Sequence, residues 1–387
     1  MTEILNRCCA KAADLQRTIV ARVLIPVLAA SVPVVLPAQE HAQFQLSLDL
    51  HTGSADRTLE IYQGLSGRPA DAARERGSQL SLAVTRSLAG RALGTPDLEA
   101  ALEAAKFNQD PGDDVFQMRF ARENVGALKD LLLELRRRNF AQKVVSTVEQ
   151  LFPADARVQA RIPMFVVAFG HKNIDAYVVR VRWEGNVPIP VGENEGELTI
   201  VVNLAKAVLY GSGTDERFVG LLSVVAHEVF HAAYGVYKET SPEWRAYYSF
   251  PRGPFEDLLD LSQNEGIAYY LSLIQQTHGR LPGDGLQRAR AAFARFNDAA
   301  AELLSPTAAA SRVSDLLRDA NTSGYWESYG SITGMIVARQ IDQTLGRTAL
   351  VETLRGNPAK FFKTYAELMR RDNGLPALSP LVIRMLR

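Results

Sequence analysis

Cysteine is nearly missing from this chain of 387 residues: there are two, Cys8 and Cys9, and none after them. Beyond residue 9 neither a disulfide framework nor a cysteine-bound metal site is open to it. Net charge is missing as well, since 43 lysines and arginines balance 43 aspartates and glutamates. With no basic field, composition gives no support to nucleic acid or an anionic membrane surface as the partner. Histidine is scarce at 6, so two of them set close together carry information. No internal repeat or low-complexity tract is present, and after the first forty residues no apolar run reads as a membrane span. What is there is an ordinary globular composition, 47% apolar and 22% charged, with length for one large domain or two.

The first forty residues stand apart. Arg7, Lys11, Arg17 and Arg22 lead into an apolar run over 23–36, which Pro37, Ala38 and Gln39 close. Basic, then apolar, then small is the order of a secretory signal peptide, with the cut expected after Ala38 or Gln39. Pro26 and Pro33 interrupt the run, and an uncleaved N-terminal anchor over 1–39 is the alternative. Either way the chain is expected to be exported, to the periplasm or outside. Both cysteines precede the apolar run, which is not the lipid-attachment order, and a thiol-free remainder agrees with an oxidising compartment.

Residues 40–152 read as a helical N-terminal region. Apolar residues recur at three- and four-residue spacing over 80–93, 98–107 and 115–140, and Gly94-Thr95-Pro96-Asp97 and Asp110-Pro111-Gly112-Asp113 punctuate them with turn chemistry. After Pro153 the β-branched and aromatic stretches 162–169, 176–183 and 198–204 read as strands, with a loop rich in glycine, proline and acid over 184–197 between the last two. Beyond Thr214 the pattern is helical almost to the end. Helices, a short mixed sheet, then helices predict a mostly helical α+β fold, with 153–387 as the catalytic region.

Ala226-His227-Glu228-Val229-Phe230-His231 contains H-E-x-x-H within a helical run from about 216 to 237. Positions four apart on a helix share a face, so His227 and His231 can point imidazole nitrogens at one ion. Glu228, one residue round, is placed to reach a water on the metal, as a general base must. The competing reading is coincidence. Composition alone yields the pattern in about one such sequence in two hundred, and Val224, Val225, Val229 and Phe230 would bury two histidines and a glutamate at a cost unless something pairs with them.

A catalytic zinc takes three protein ligands and leaves a position for water. Glu265, in Gln263-Asn264-Glu265-Gly266-Ile267-Ala268-Tyr269 on a second helical stretch, is the candidate third ligand; Glu256 and Asp257 are the alternatives. Here the sequence resembles the gluzincin metallopeptidases, in which an asparagine-glutamate pair follows H-E-x-x-H on a later helix, and it is similar to a group of bacterial zinc-dependent peptidases. The resemblance covers about 160–345. Between His231 and Glu265 the gap is longer than in the gluzincins, and its aromatics Trp244, Tyr247, Tyr248, Phe250 and Phe255 read either as a substrate-covering loop or as a packed connector. The resemblance further implies one Zn2+ per chain, an edge strand ending at Asn203 along which substrate lies (an ordinary sheet edge otherwise), and a tyrosine donor to the oxyanion. Tyr329 is the expected donor, in the segment 325–335, with Tyr325 and His278 as alternatives; the competing reading of either tyrosine is a half-buried aromatic with a local partner.

Two neutral histidines and one glutamate leave a net positive charge at zinc, enough to acidify a bound water. The expectation is hydrolysis of a peptide or protein substrate with Glu228 as base. The alternatives are a helical binding or scaffold protein with a structural or vestigial metal site, and a zinc hydrolase of non-peptide amides. The acidic run Glu193, Glu195 and Glu197 reads as a solvated loop rather than an amine-holding site.

Overall fold

The computed structural model describes residues 44–386 apart from 66, 111, 193–194 and 322–325. The leader expected over 1–39, both cysteines and Tyr325 lie outside the described residues.

The described chain opens with a strand. Phe44, Leu46, Leu48 and Leu50 alternate, and the alternation makes β1 (Phe44–His51), with Leu46 and Leu48 buried. It pairs in parallel with β2 (Val158–Val167), Phe44 opposite Val158 and His51 opposite Phe165. Three more strands complete the sheet: β3 (Ala176–Glu184), β4 (Val187–Pro190) and β5 (Glu197–Asn203). Gly185, at φ +64°, turns the β3–β4 hairpin. The order is β1-β2-β5-β3-β4, with β5 parallel to β2 and antiparallel to β3. The helical N-terminal region is present over 53–149, and β1 ahead of it joins the sheet. Two expectations are corrected here. The stretch 184–197 is not all loop, because it holds β4. Nor is the strand ending at Asn203 an edge: both sides of its backbone are paired, by β2 and β3, so it has no free row of N–H and C=O groups for a substrate.

Between β1 and β2 run α1 (Gly53–Tyr62), α2 (Pro69–Ala73), α3 (Arg76–Ala89), α4 (Thr95–Lys106), α5 (Met118–Glu123), α6 (Val125–Arg137) and α7 (Phe140–Glu149). The turn chemistry at 94–97 acts as expected, the Asp97 carboxylate accepting the Gly94 N–H at 2.7 Å to start α4. After β5 come α8 (Leu204–Ala207), capped by the Asn203 side chain, a 3-10 turn (Val208–Tyr210), α9 (Thr214–Thr240), α10 (Pro242–Ser249) and α11 (Pro254–Thr277). The chain ends in α12 (Gly285–Leu303), α13 (Ala310–Asn321), α14 (Tyr329–Leu345), α15 (Arg347–Glu352), α16 (Ala359–Met369) and α17 (Pro380–Met385). The fold is α+β and mostly helical, as the pattern predicts.

α9 is its axis. One side lies on β2 and β3, and the others meet α6, α7 and α11, so a single core runs from Leu46 to Leu386 through both halves of the sequence. A smaller apolar cluster, Leu80, Phe165, Val167, Val181 and Val201, fills the opposite face of the sheet under α3. By length and composition α9 passes for a membrane span, which the sequence reading overlooked; most of that stretch is instead buried within the protein. The aromatic segment after it packs as a connector except at Phe250, whose ring is 70% exposed. Trp244 is fully buried with its indole N–H on the Leu354 carbonyl at 2.7 Å, Lys238 sits 4.4 Å over the Tyr234 and Trp244 rings, and Asp260 takes both Lys238 and the Tyr248 hydroxyl.

α11 and α14 cross backbone to backbone. A Cβ on Gly334 would land on the Ser262 carbonyl oxygen and 2.9 Å from the Gly266 Cα, and one on Gly266 would land on the Gly334 backbone. Alanine is the better helix former by about 1 kcal/mol, but here the clash outweighs it. Gly334→Ala is expected to lower the unfolding free energy by about 3 kcal/mol or more, read as a fall in denaturation midpoint; a variant as stable as the parent would mean that the helices can part freely.

Candidate metal centre

Glu216 starts the helix that carries the motif. Its carboxylate accepts the Ser212 and Gly213 N–H groups, and these bonds hold its pKa below the usual glutamate value. From there α9 is unbroken for 27 residues, which sets His227 and His231 one turn apart with ring centroids 4.7 Å from each other. Their Nε2 atoms are 3.0 Å apart. α11, packed alongside, brings Glu265 to them: its Oε2 lies 3.6 Å from His227 Nε2 and 3.5 Å from His231 Nε2. Among the described residues these three form the candidate metal cluster.

Two of the three donors are aimed from behind. An amide oxygen can only accept, so Asn264 Oδ1, 3.0 Å from His231 Nδ1, takes its N–H and leaves Nε2 with its lone pair toward the cluster. Asn321, at the end of α13, donates its amide to Glu265 Oε1 at 2.9 Å and leaves Oε2 for the cluster. Zinc ligands lie about 2.0–2.2 Å from the ion, so tetrahedral donors stand roughly 3.3–3.5 Å apart, and the three separations here bracket that spacing. Two imidazoles and one carboxylate are also a common ligand set for a catalytic zinc. The residues fit the ion.

Burial opposes charge on both groups, yet the histidines hold the Glu265 carboxyl well below the glutamate range, and Glu265 lifts His231 to about 9. The cation that Glu265 faces here is a protonated His231, and a metal ion would have to displace that proton to bind. Glu228 is half-buried beside them. Burial raises its pKa, the two histidines pull it down, and Glu265 and Asp175 push it up.

The remaining expected residues fall elsewhere. Glu256 accepts the Gly253 N–H at 2.9 Å and Asp257 lies 3.6 Å from Arg252; eight or nine residues before Glu265, they are roughly 12–14 Å away along the helix. His278 is exposed past the end of α11, thirteen residues and roughly 20 Å beyond Glu265. Tyr329 is 2% exposed and donates its hydroxyl proton to the Leu316 carbonyl at 2.7 Å. A phenol has one proton, so as placed it packs α14 on α13 and does not donate to an oxyanion. Glu197 accepts the Trp183 indole N–H at 2.7 Å. Two residues beside the centre had no role assigned from sequence. Tyr269, one turn after Glu265, stands edge-on to His227 at 5.0 Å between ring centroids, and Asn321 reaches the site from 56 residues away, with no motif to mark it.

A helix with H-E-x-x-H, a glutamate from a second helix and amides behind two of the donors together have the outline of a metal-binding centre. Residues 95–374 match the family described as "Putative zinc dependent peptidase (DUF5700)", and the chain belongs to that family. No curated protein and no solved structure matches it.

Loss of a hydrogen-bonded partner behind a histidine ligand usually weakens metal binding about 10–100-fold. Asn264→Ala is expected to do so for zinc, measured by competition with a chromophoric chelator; an unchanged affinity would mean that His231 needs no orienting partner.

Proposed function

We propose that the chain is a zinc-dependent hydrolase of peptide bonds, with His227, His231 and Glu265 holding one zinc and Glu228 as the general base. The observation that carries this reading is the convergence of the three donor atoms within 3.6 Å of one another, with the carboxyl of Glu228 next to them on the same helix but outside the set. Family membership supports the coarser part of it, a zinc-dependent peptidase.

Zinc, where bound, supplies Lewis-acid chemistry: it lowers the pKa of a water and draws electron density from a carbonyl oxygen. The protein does the rest. Glu228 takes a proton from the attacking water as the C–O bond forms, then delivers it to the amide nitrogen as the C–N bond breaks, so that an acid and an amine leave. Asn264 and Asn321 keep the donors from turning away while charge shifts at the centre. Val225 and Val229, on the side of α9 turned away from the histidines, are buried in the core and hold the helix that carries them.

Metal removal tests the proposal. The purified chain is expected to carry one zinc and to cleave an unstructured protein or a peptide mixture, to lose cleavage on chelation, and to regain it with added zinc. A zinc-loaded chain that cuts amide-linked glycans and no peptide would shift the reading to a non-peptide amidase; a chain that neither holds nor takes up zinc would end it.

A further inference from the structure

Glycine is among the poorest residues for a helix interior, and α9 holds two, Gly220 and Gly235. Packing explains the first. Tyr210 lies over Gly220, where a Cβ would stand 2.6 Å from the Tyr210 Cβ. Gly266 and Gly334 are explained in the same way, by the crossing of α11 and α14. Gly235 has no such neighbour. Outside its own turn of helix, a Cβ built there meets no atom within 4 Å among the described residues. Its backbone is helical, with no positive φ to call for glycine. Alanine would fit the protein and favour the helix.

Gly235 lies on the face that carries the metal centre. At about 100° per residue, His227, His231, Gly235 and Glu228 fall in that order within an arc of about 100° around the helix, with Gly235 between His231 and Glu228. That arc is the open side of α9. His227, Glu228 and His231 are half-buried and Gly235 is exposed, while Val225, Val229 and Ala233 across the helix are buried. Gly235 stands one turn past His231, about 6 Å along the axis, and an extended peptide advances about 3.3 Å per residue.

We propose that the substrate chain runs along α9 from the histidines over Gly235, and that Gly235 sets specificity there: its missing side chain leaves room for a large side chain of the peptide about two residues from the bond that is cut. The inference rests on the hydrolase reading given above. Close approach of a ligand is an ordinary use of a glycine that packing does not require. The helix gives up stability to keep that space, as binding sites commonly do.

The test compares the zinc-loaded full chain with Gly235→Ala and Gly235→Leu. A peptide that the parent cuts at one bond is remade with glycine, leucine or tryptophan at each position within about three residues of that bond, on either side. Gly235→Ala is expected to bind zinc as tightly as the parent and to melt about 1–2 °C above it. Gly235→Leu is expected to lower kcat/KM roughly ten- to a hundredfold for the peptide with tryptophan at one of these positions, with a smaller loss in Gly235→Ala. Both variants should cut the peptide with glycine at that position within about twofold of the parent. A loss confined to one position, growing with both side chains, is a direct clash that a merely structural role does not produce. Equal losses on all the peptides, or variants that cut every peptide as the parent does, overturn the inference while leaving the hydrolase reading in place. Gly235→Ala carries the test should Gly235→Leu not fold. A parent that holds zinc and cuts no peptide overturns both readings.

Discussion

Replacing Glu228 by glutamine is expected to leave the zinc content unchanged and to lower kcat by about 10²–10⁴-fold, the usual contribution of a general base. The amide has the shape of the acid but no basic oxygen to receive a proton from the attacking water. Glu228 is not among the three converging donors, so the ion keeps its ligands. Because burial, with repulsion by Glu265 and Asp175, works against the charge of Glu228 more than His227 and His231 favour it, the uncharged variant should also be at least as heat-stable as the parent. Metal analysis, a peptide assay and a melting curve on one preparation check all three statements. Turnover equal to that of the parent would remove Glu228 from the chemistry.

Glu265→Ala should have the opposite signature, with metal and activity lost together. If the roughly 10–16 kcal/mol of a structural zinc site is shared evenly among its ligands, one of them accounts for on the order of 10²–10³-fold in affinity. The variant also releases the Asn321 amide and removes the anion that raises His231, whose burial then favours the neutral ring. Chelator competition gives the affinity, and a variant holding zinc as tightly as the parent would mean that the third ligand is another residue. With Glu228→Gln, the pair separates holding the ion from moving the proton.

Much of the centre is legible in the sequence because its information is local. H-E-x-x-H encodes its own geometry once the segment is helical, and the asparagine-glutamate pair marks the helix that supplies the third donor. Even so, what Asn264 does was not readable, since it acts on a histidine of the other helix. Asn321 and β1 are further from reach: no local pattern announces a hydrogen bond to Glu265 across 56 residues, or that Phe44 pairs with Val158. Tyr329 shows how packing and function can look alike. The small residues after it, Gly330 and Gly334, are the sort that suggest close approach to a ligand, but what approaches them is Ser262, Ala320 and Gly266. The edge position of the strand ending at Asn203 came with the resemblance, and it fails because β5 lies between β2 and β3, an order that no local pattern marks.

The sheet begins with the first described strand and needs β2 and β5 to hold it, while the last donor and its brace come from α11 and α13. A ribosome that has released the chain only as far as α9 has therefore made both histidines and Glu228, with no Glu265 to complete the cluster. On the hydrolase reading such a nascent chain is harmless to its neighbours: zinc capture, and any cutting that depends on it, must wait until most of the polypeptide has emerged.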